Sequence, residues 1–311
     1  MSLTLPDGVL GMAGRGEVWA DWVDRLPRVA EDLMSQWELE LDGLPMHGFC
    51  ALVLPVRGPG QDAVLKISFP EEETEHEHLA LRAWEGRGAV RLLRAEPHRR
   101  AILLERLSDE KLDSVDPETA CEVVAALYAH LHVPATGQFR LLSDWTRRWA
   151  ERLRTLPQEA PVPRRLVTQA AGLARDLAED PDTDGTLIHG DLHYLNVLAG
   201  ERAPWLAIDP KPLSGDPHLE PAPMLWNRWD EALAGGDARA AIRQRFHVLV
   251  DVAELDEDRA RAWMILRLVT FAVEQWQEAL DVRGPTRAQV QRTTSRLTTA
   301  AVTVAKAVQA D

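Results

Sequence analysis

Between residues 187 and 198 the chain reads Leu187-Ile188-His189-Gly190-Asp191-Leu192-His193-Tyr194-Leu195-Asn196-Val197-Leu198, and Ala207-Ile208-Asp209 follows shortly after. Two apolar runs flank a polar loop, and that loop carries an aspartate, an asparagine and, after a second short apolar run, another aspartate. Phosphoryl transfer needs one carboxylate near the attacking hydroxyl and separate oxygen ligands for magnesium. Asp191, Asn196 and Asp209 have that chemistry and that order. Taken singly, each has a plainer explanation, because an Asp or Asn in a loop is most often a local backbone acceptor. The rest of the chain decides between the two readings.

A chain of 311 residues, 45% of them apolar, is long enough for two domains or for one divided into lobes. It carries 35 Lys and Arg against 49 Asp and Glu, a net charge of −14. That balance argues against general affinity for nucleic acid or an anionic membrane, both of which favour a basic face, and it suits a cationic partner. Two cysteines, Cys50 and Cys121, are too few for a disulfide framework or a cysteine-rich zinc site, and both read as reduced core residues. Residues 1–11 lack a basic region followed by an apolar one, and no 18-residue apolar run occurs, so neither a signal peptide nor a membrane span is expected. The expected address is the cytosol. Eleven Trp against two Tyr is unusual, and core packing is the expected use of most of them.

Residues 15–39 repeat apolar positions at helical spacing (Val18, Trp19, Trp22, Val23, Leu26, Val29, Leu33, Trp37), with Pro27 set to break or kink the helix. Residues 46–56 form a β-like run entered through Gly48. A turn at Gly58-Pro59-Gly60 leads to a second run, residues 63–68. Lys66 sits inside that second run. It is either a strand residue facing solvent or a buried cation awaiting an anion, and the stretch alone favours solvent. Glu71, Glu72, Glu73, Glu75 and Glu77 open a helix that continues to Trp84, as its dipole favours. Residues 90–93 and 101–104 suggest two further strands. From about Pro117 the pattern turns helical: residues 120–131, then 143–156 with Ser143 as a cap, then 164–177. After the central loop come 221–229, 259–279 and a Thr- and Ala-rich helix over 286–310. These patterns predict an α+β fold, with a small strand-bearing lobe over 1–106, including an N-terminal helical extension, and a larger helical lobe over 107–311.

A strand lysine, then a Glu-bearing helix, then Asp-x₄-Asn, then Asp after another apolar run is the kinase order of parts. His189-Gly-Asp191-Leu-His193-x-x-Asn196 with Ile208-Asp209 resembles the signature of aminoglycoside phosphotransferase-like kinases. The run from Ala207 to Trp229 is similar to the aminoglycoside/hydroxyurea kinase branch, which includes streptomycin 6-phosphotransferases. The resemblance covers nearly the whole chain and implies a protein-kinase-like bilobal fold.

It implies further that Asp191 orients the acceptor hydroxyl and takes its proton, and that Asn196 and Asp209 hold Mg²⁺. Lys66 would meet ATP phosphates and be held by Glu77, with Glu75 the alternative. Backbone groups from Glu105 to Leu107 would bind adenine, and Gly48 would belong to the nucleotide loop. There the chain departs from the family, since Met46-His47-Gly48-Phe49-Cys50 is bulky where small polar residues are common. His189 and His193 would shape the loop. The leading expectation is ATP-dependent phosphorylation of a hydroxyl on an aminoglycoside, streptomycin first. Its two guanidinium groups call for acids, for which Glu220, Asp230 and Glu231 are the candidates. The alternatives are a kinase of hydroxyurea or another small alcohol, and a non-catalytic nucleotide-binding relative. A metal-dependent hydrolase built on His189, Asp191, His193, Asp209 and His218 would leave Lys66 and Asn196 unexplained.

Overall fold

The computed structural model describes residues 3–281 and 287–309. The chain opens with α1 (Asp7–Met12) and α2 (Glu17–Trp37), which lead into β1 (Glu40–Leu41), β2 (Met46–His47), β3 (Ala51–Gly58) and β4 (Gln61–Ser68). Then come α3 (Glu77–Trp84), β5 (Leu92–Glu96) and β6 (Ala101–Glu105). The helical part has α4 (Pro117–Leu131), β7 (Val133–Pro134), α5 (Leu142–Arg154), α6 (Arg164–Glu179) and β8 (Thr186–Ile188). It continues with β9 (Val197–Ala199), β10 (Trp205–Ala207), β11 (Leu213–Gly215), α7 (Ala222–Trp226), α8 (Trp229–Ala234), α9 (Ala238–Val252), α10 (Glu257–Asp281) and α11 (Arg287–Val308). Two compact units result: Met1–Asp109 with Leu198–Lys211, and Glu110–Val197 with Pro212–Asp311.

In the first unit, β1 and β2 lie along β3, followed by β4, β6 and β5, and the pairings are antiparallel. Alternation sets the faces. Leu52, Leu54 and Val56 of β3, with Ala63, Leu65 and Ile67 of β4, bury one face against Trp22, Leu26, Ala30 and Leu33 of α2. Pro27 lies inside α2 without ending it. Proline removes one backbone donor, but apolar residues on both sides of it, Trp22 to Leu26 and Ala30 to Leu33, are held in the same core, which keeps the helix continuous. The acids before α3 divide: Glu72 and Glu73 occupy a 3₁₀ turn, and only Glu77 stands in the first turn of the helix.

In the second unit, β8 is flanked by β7 and β11, and the loop bearing Asp191 leaves from its end. The long helices α10 and α11 pack on each other, as do α5 and α6. Ser143 is not a cap: α5 begins one residue earlier, and the Ser143 N–H donates to Asp184 at 2.9 Å. Of the expected C-terminal helix, Thr286 and Ala310 lie outside the described residues. Cys50 and Cys121 are free and buried, each with its thiol pushed up, chiefly by burial. Trp84, Trp149 and Trp263 are fully buried, the packing role expected of the tryptophans. Among the described residues no helix is long and apolar enough to cross a membrane.

Candidate active site

The first group of functional side chains follows from strand alternation. Leu65 and Ile67 face the core, so Lys66 between them faces the other side of β4. The solvent-facing reading of that lysine fails, because Lys66 is only 8% exposed. Its Nζ donates to Glu77 Oε1 at 2.7 Å and Oε2 at 2.9 Å, and it also pairs with Asp209. Glu75, the alternative acid, pairs with Arg100 at 3.4 Å instead.

One ammonium thus faces two carboxylates. Burial works against the charge on Lys66, but Asp209 and Glu77 outweigh it and hold the ammonium protonated well above the usual range. Burial, with the Asp209 charge adding to it, pushes Glu77 up to about 7 against the pull of Lys66. The excess of negative charge is what a second cation would relieve. Asp209 has φ 58°, a left-handed backbone that a non-glycine residue adopts at a cost and that often marks a functional position.

The Glu105 carboxylate is already engaged. It accepts from Arg91 N at 2.7 Å and from Arg202 Nε and Nη2, the latter at 2.6 Å. Burial would raise its pKa, but these donors hold it below the usual carboxylate range. Next to it, Arg106 donates to Asp42 at 2.8 Å and to Val56 O at 2.7 Å, while Ser108 N donates to Ala199 O at 3.0 Å. The stretch around Leu107 is therefore pinned on both sides. Gly48 N donates to Ala51 O at 3.0 Å, and a side chain at Gly48 would meet only the Ala51 methyl, in ordinary contact. Neither φ nor space demands glycine there.

The second group is set by the loop after β8. His189 is fully buried, and its Nδ1 accepts from Asp191 N at 3.3 Å. The His193 Nδ1 accepts from Leu195 N at 3.2 Å, while Nε2 stands 3.9 Å from Asp191 Oδ1. Both histidines shape the loop. Asn196 Nδ2 donates to Asp191 O at 2.9 Å, which leaves its amide oxygen as the ligand-type atom.

Glu220 has a different place from the one expected of a substrate-binding acid. It is 1% exposed, so its carboxylate does not reach a ligand. Instead Oε1 accepts from His189 N at 2.5 Å and Gly190 N at 3.1 Å, and no hydrogen bond is found for the buried Oε2 among the described residues. Burial pushes this acid up to about 7, with Asp191 adding to the shift and the two N–H donors opposing it. Glu220 is a brace for the loop that carries Asp191. No local signal announces it, since 31 residues separate acceptor from donor. Glu231 is held in a two-point pair by Arg228, both contacts 2.6 Å, and Asp230 pairs with Arg296 where both side chains are mostly exposed. Arg202, the partner of Glu105, is the other residue that sequence reasoning passed over.

Solved structures share this architecture. Choline kinase LicA from Streptococcus pneumoniae aligns with a TM-score of 0.58 at 13% identity, covering 88% of this chain and 99% of that one. Spectinomycin phosphotransferase in complex with ADP and spectinomycin aligns with a TM-score of 0.57 at 13% identity, covering 89% and 98%. The fold is therefore the protein-kinase-like one. Within it, a family model described as aminoglycoside/hydroxyurea antibiotic resistance kinase matches residues 36–279, and the chain belongs to that family. The relatives include a streptomycin 6-kinase from Streptomyces glaucescens, 42% identical with 89% of this chain and 92% of that protein covered. A hydroxyurea phosphotransferase from Kitasatospora aureofaciens is 40% identical, with 90% and 81% covered.

Proposed function

We propose that this enzyme transfers the γ-phosphoryl group of ATP to a hydroxyl of an aminoglycoside antibiotic, streptomycin being the first acceptor to test. The observation that carries the reading is the lysine of β4 held by Glu77 and Asp209, the arrangement that aims an ammonium at nucleotide phosphates in kinases. Asp191, in its braced loop, accepts the proton of the acceptor hydroxyl as the new oxygen–phosphorus bond forms. Asp209 and the amide oxygen of Asn196 are oxygen donors of the kind magnesium prefers, and they are the residues that would hold it. Bound magnesium supplies charge neutralisation at the phosphates. Backbone groups over 105–107 are the adenine contacts of this reading, and Gly48 is part of its phosphate loop.

Of the three acids first considered for the cationic acceptor, Asp230 is the one retained, because Glu220 is buried and Glu231 is held at two points by Arg228, whereas the pairing of Asp230 with Arg296 is exposed on both sides and can be exchanged. The similarity to a hydroxyurea phosphotransferase favours one second reading, the same reaction on a smaller hydroxylated acceptor. ADP release measured across streptomycin, other aminoglycosides, hydroxyurea and simple amino alcohols decides between them. Streptomycin should stimulate release most, and a flat response to it would defeat the first choice. Asp191→Ala should lower turnover by about 10²–10⁴ while ATP still binds, and near-normal turnover would remove Asp191 from its role.

A further inference from the structure

The bulky loop over residues 46–50 has a partner in the N-terminal helices. The His47 ring lies on Gly8 of α1 so closely that a side chain at Gly8 would run into the imidazole. His47 Nδ1 also stands 3.0 Å from Gly48 O. Two residues on, Phe49 is 78% exposed, yet its ring is covered by the Arg15 guanidinium at 4.5 Å. The same guanidinium lies 4.7 Å from the ring of Trp19, so one cation joins the loop tip to α2. Trp19 in turn stacks flat on Phe69, with centroids 3.6 Å apart and 3° between planes, and Phe69 N donates to Cys50 O at 2.7 Å. The loop of residues 46–50 is therefore fastened at His47, Phe49 and Cys50, in each case directly or indirectly to the helices that precede the sheet. α1 and nearly all of α2 come before the stretch matched by the family model.

We propose that these N-terminal helices are the positioning element of the nucleotide loop, with Arg15 and Gly8 as positioning residues for ATP. The proposal rests on the kinase reading above. Small, flexible residues would let a phosphate loop fold around its ligand. Here bulky ones trade that freedom for anchorage, so His47 and Phe49 are docking points for the helices, and the backbone at Gly48 between them, whose N–H donates to Ala51 O, is held in place before ATP arrives.

The test uses the full chain with Arg15→Ala, Phe49→Ala and Gly8→Ala, and with Val18→Ala as a control on an exposed position of α2 away from these contacts. Two readouts are taken: amide hydrogen exchange over residues 46–50, and the KM values for ATP and for acceptor separately. Arg15→Ala should raise the KM for ATP by about three- to fivefold, the size of one exposed cation–π contact. It should leave the acceptor KM and the thermal midpoint unchanged. Exchange at the Gly48 amide should quicken by about the same factor, since local opening is what that amide reports. Phe49→Ala should have the same two effects, and Phe49→Trp, which keeps a ring under the Arg15 guanidinium, should leave both readouts near wild type. Exchange unchanged in all three variants overturns the clamp. Faster exchange with unchanged KM for ATP shows a clamp that does not serve ATP, and overturns the proposal equally. A wild-type enzyme that transfers no phosphoryl group from ATP defeats the kinase reading itself, and that failure is visible without any variant.

Discussion

Glu220 shows how a single buried carboxylate can be made to answer to pH. Its folded-state pKa, about 7, lies above the ordinary 4.5. Between those values the unfolded chain has released this proton and the folded chain still holds it, so rising pH favours the unfolded state. The Glu220 contribution is harmless below about pH 4.5, grows more destabilising as pH rises from there to about 7, and levels off above it. Glu220→Gln removes that titration and keeps an oxygen for the N–H groups of His189 and Gly190. Relative to wild type, the variant should therefore gain on the order of 1–3 kcal/mol of stability between pH 5 and pH 8, read from urea midpoints at each pH. A difference that stays flat across that range would mean the carboxylate is not perturbed. Lys66 poses a sharper case: Lys66→Met leaves Glu77 and Asp209 facing each other without their cation. The KM for ATP should rise by about tenfold or more, and kcat should fall. Residue-level legibility was uneven for a physical reason. Lys66, Glu77, Asp191, Asn196 and Asp209 each sit in a short pattern whose order is itself chemical. Glu220 and Arg202 owe their roles to partners far away in sequence, which no local pattern reveals.

At the scale of elements, Asp216 ties β11, α10 and the end of α6 into one frame. It is 1% exposed and accepts from His218 N at 3.0 Å, His218 Nδ1 at 2.5 Å, Arg259 Nε at 2.6 Å and Trp263 Nε1 at 2.5 Å. Arg259 reaches on to Asp180 at 2.6 Å. Asp216→Ala strips the acceptor from four donor atoms on three residues at once and should cost about 3–5 kcal/mol, seen as a large drop in the denaturant midpoint. A loss below 1 kcal/mol would show that the network is dispensable. Elements themselves were legible where periodicity was strong, as in α2, α4 and α10. They were misjudged where a rule of local propensity met a tertiary constraint: Pro27 does not end α2 because the core grips the helix on both sides of it, and Ser143 lies inside the first turn of α5, where its N–H is itself capped by the distant Asp184.

For the whole molecule, the excess of 49 acids over 35 bases gives a net charge of −14, and with it a net negative field at long range. A cationic acceptor is drawn in by that field and ATP is not. Raising ionic strength from about 0.02 to 0.3 M shortens the Debye length from roughly 20 Å to 6 Å. The kcat/KM for a doubly guanidinylated acceptor should fall several-fold over that range, and that for hydroxyurea, which is neutral, should hold. Equal salt sensitivity for both acceptors would assign the charge to solubility alone. The division into a strand-bearing and a helical part was legible from the change of pattern near Pro117. The return of residues 198–211 to the first unit was not, because nothing in their composition marks them as belonging with strands that end at Glu105, far earlier in the chain.

That return has a consequence for how the protein is made. The ribosome delivers Lys66 and Glu77 long before Asp209, and Glu105 long before Arg202. Until the chain has grown past residue 211, the nascent first unit lacks the carboxylate that pairs with Lys66 and the guanidinium that pairs with Glu105. Vectorial synthesis therefore cannot finish the first unit before the second is largely exposed. A truncated translation product ending near residue 109 would carry Lys66 and Glu77 with the third member of their charge cluster missing, a cluster completed only when the later segment arrives.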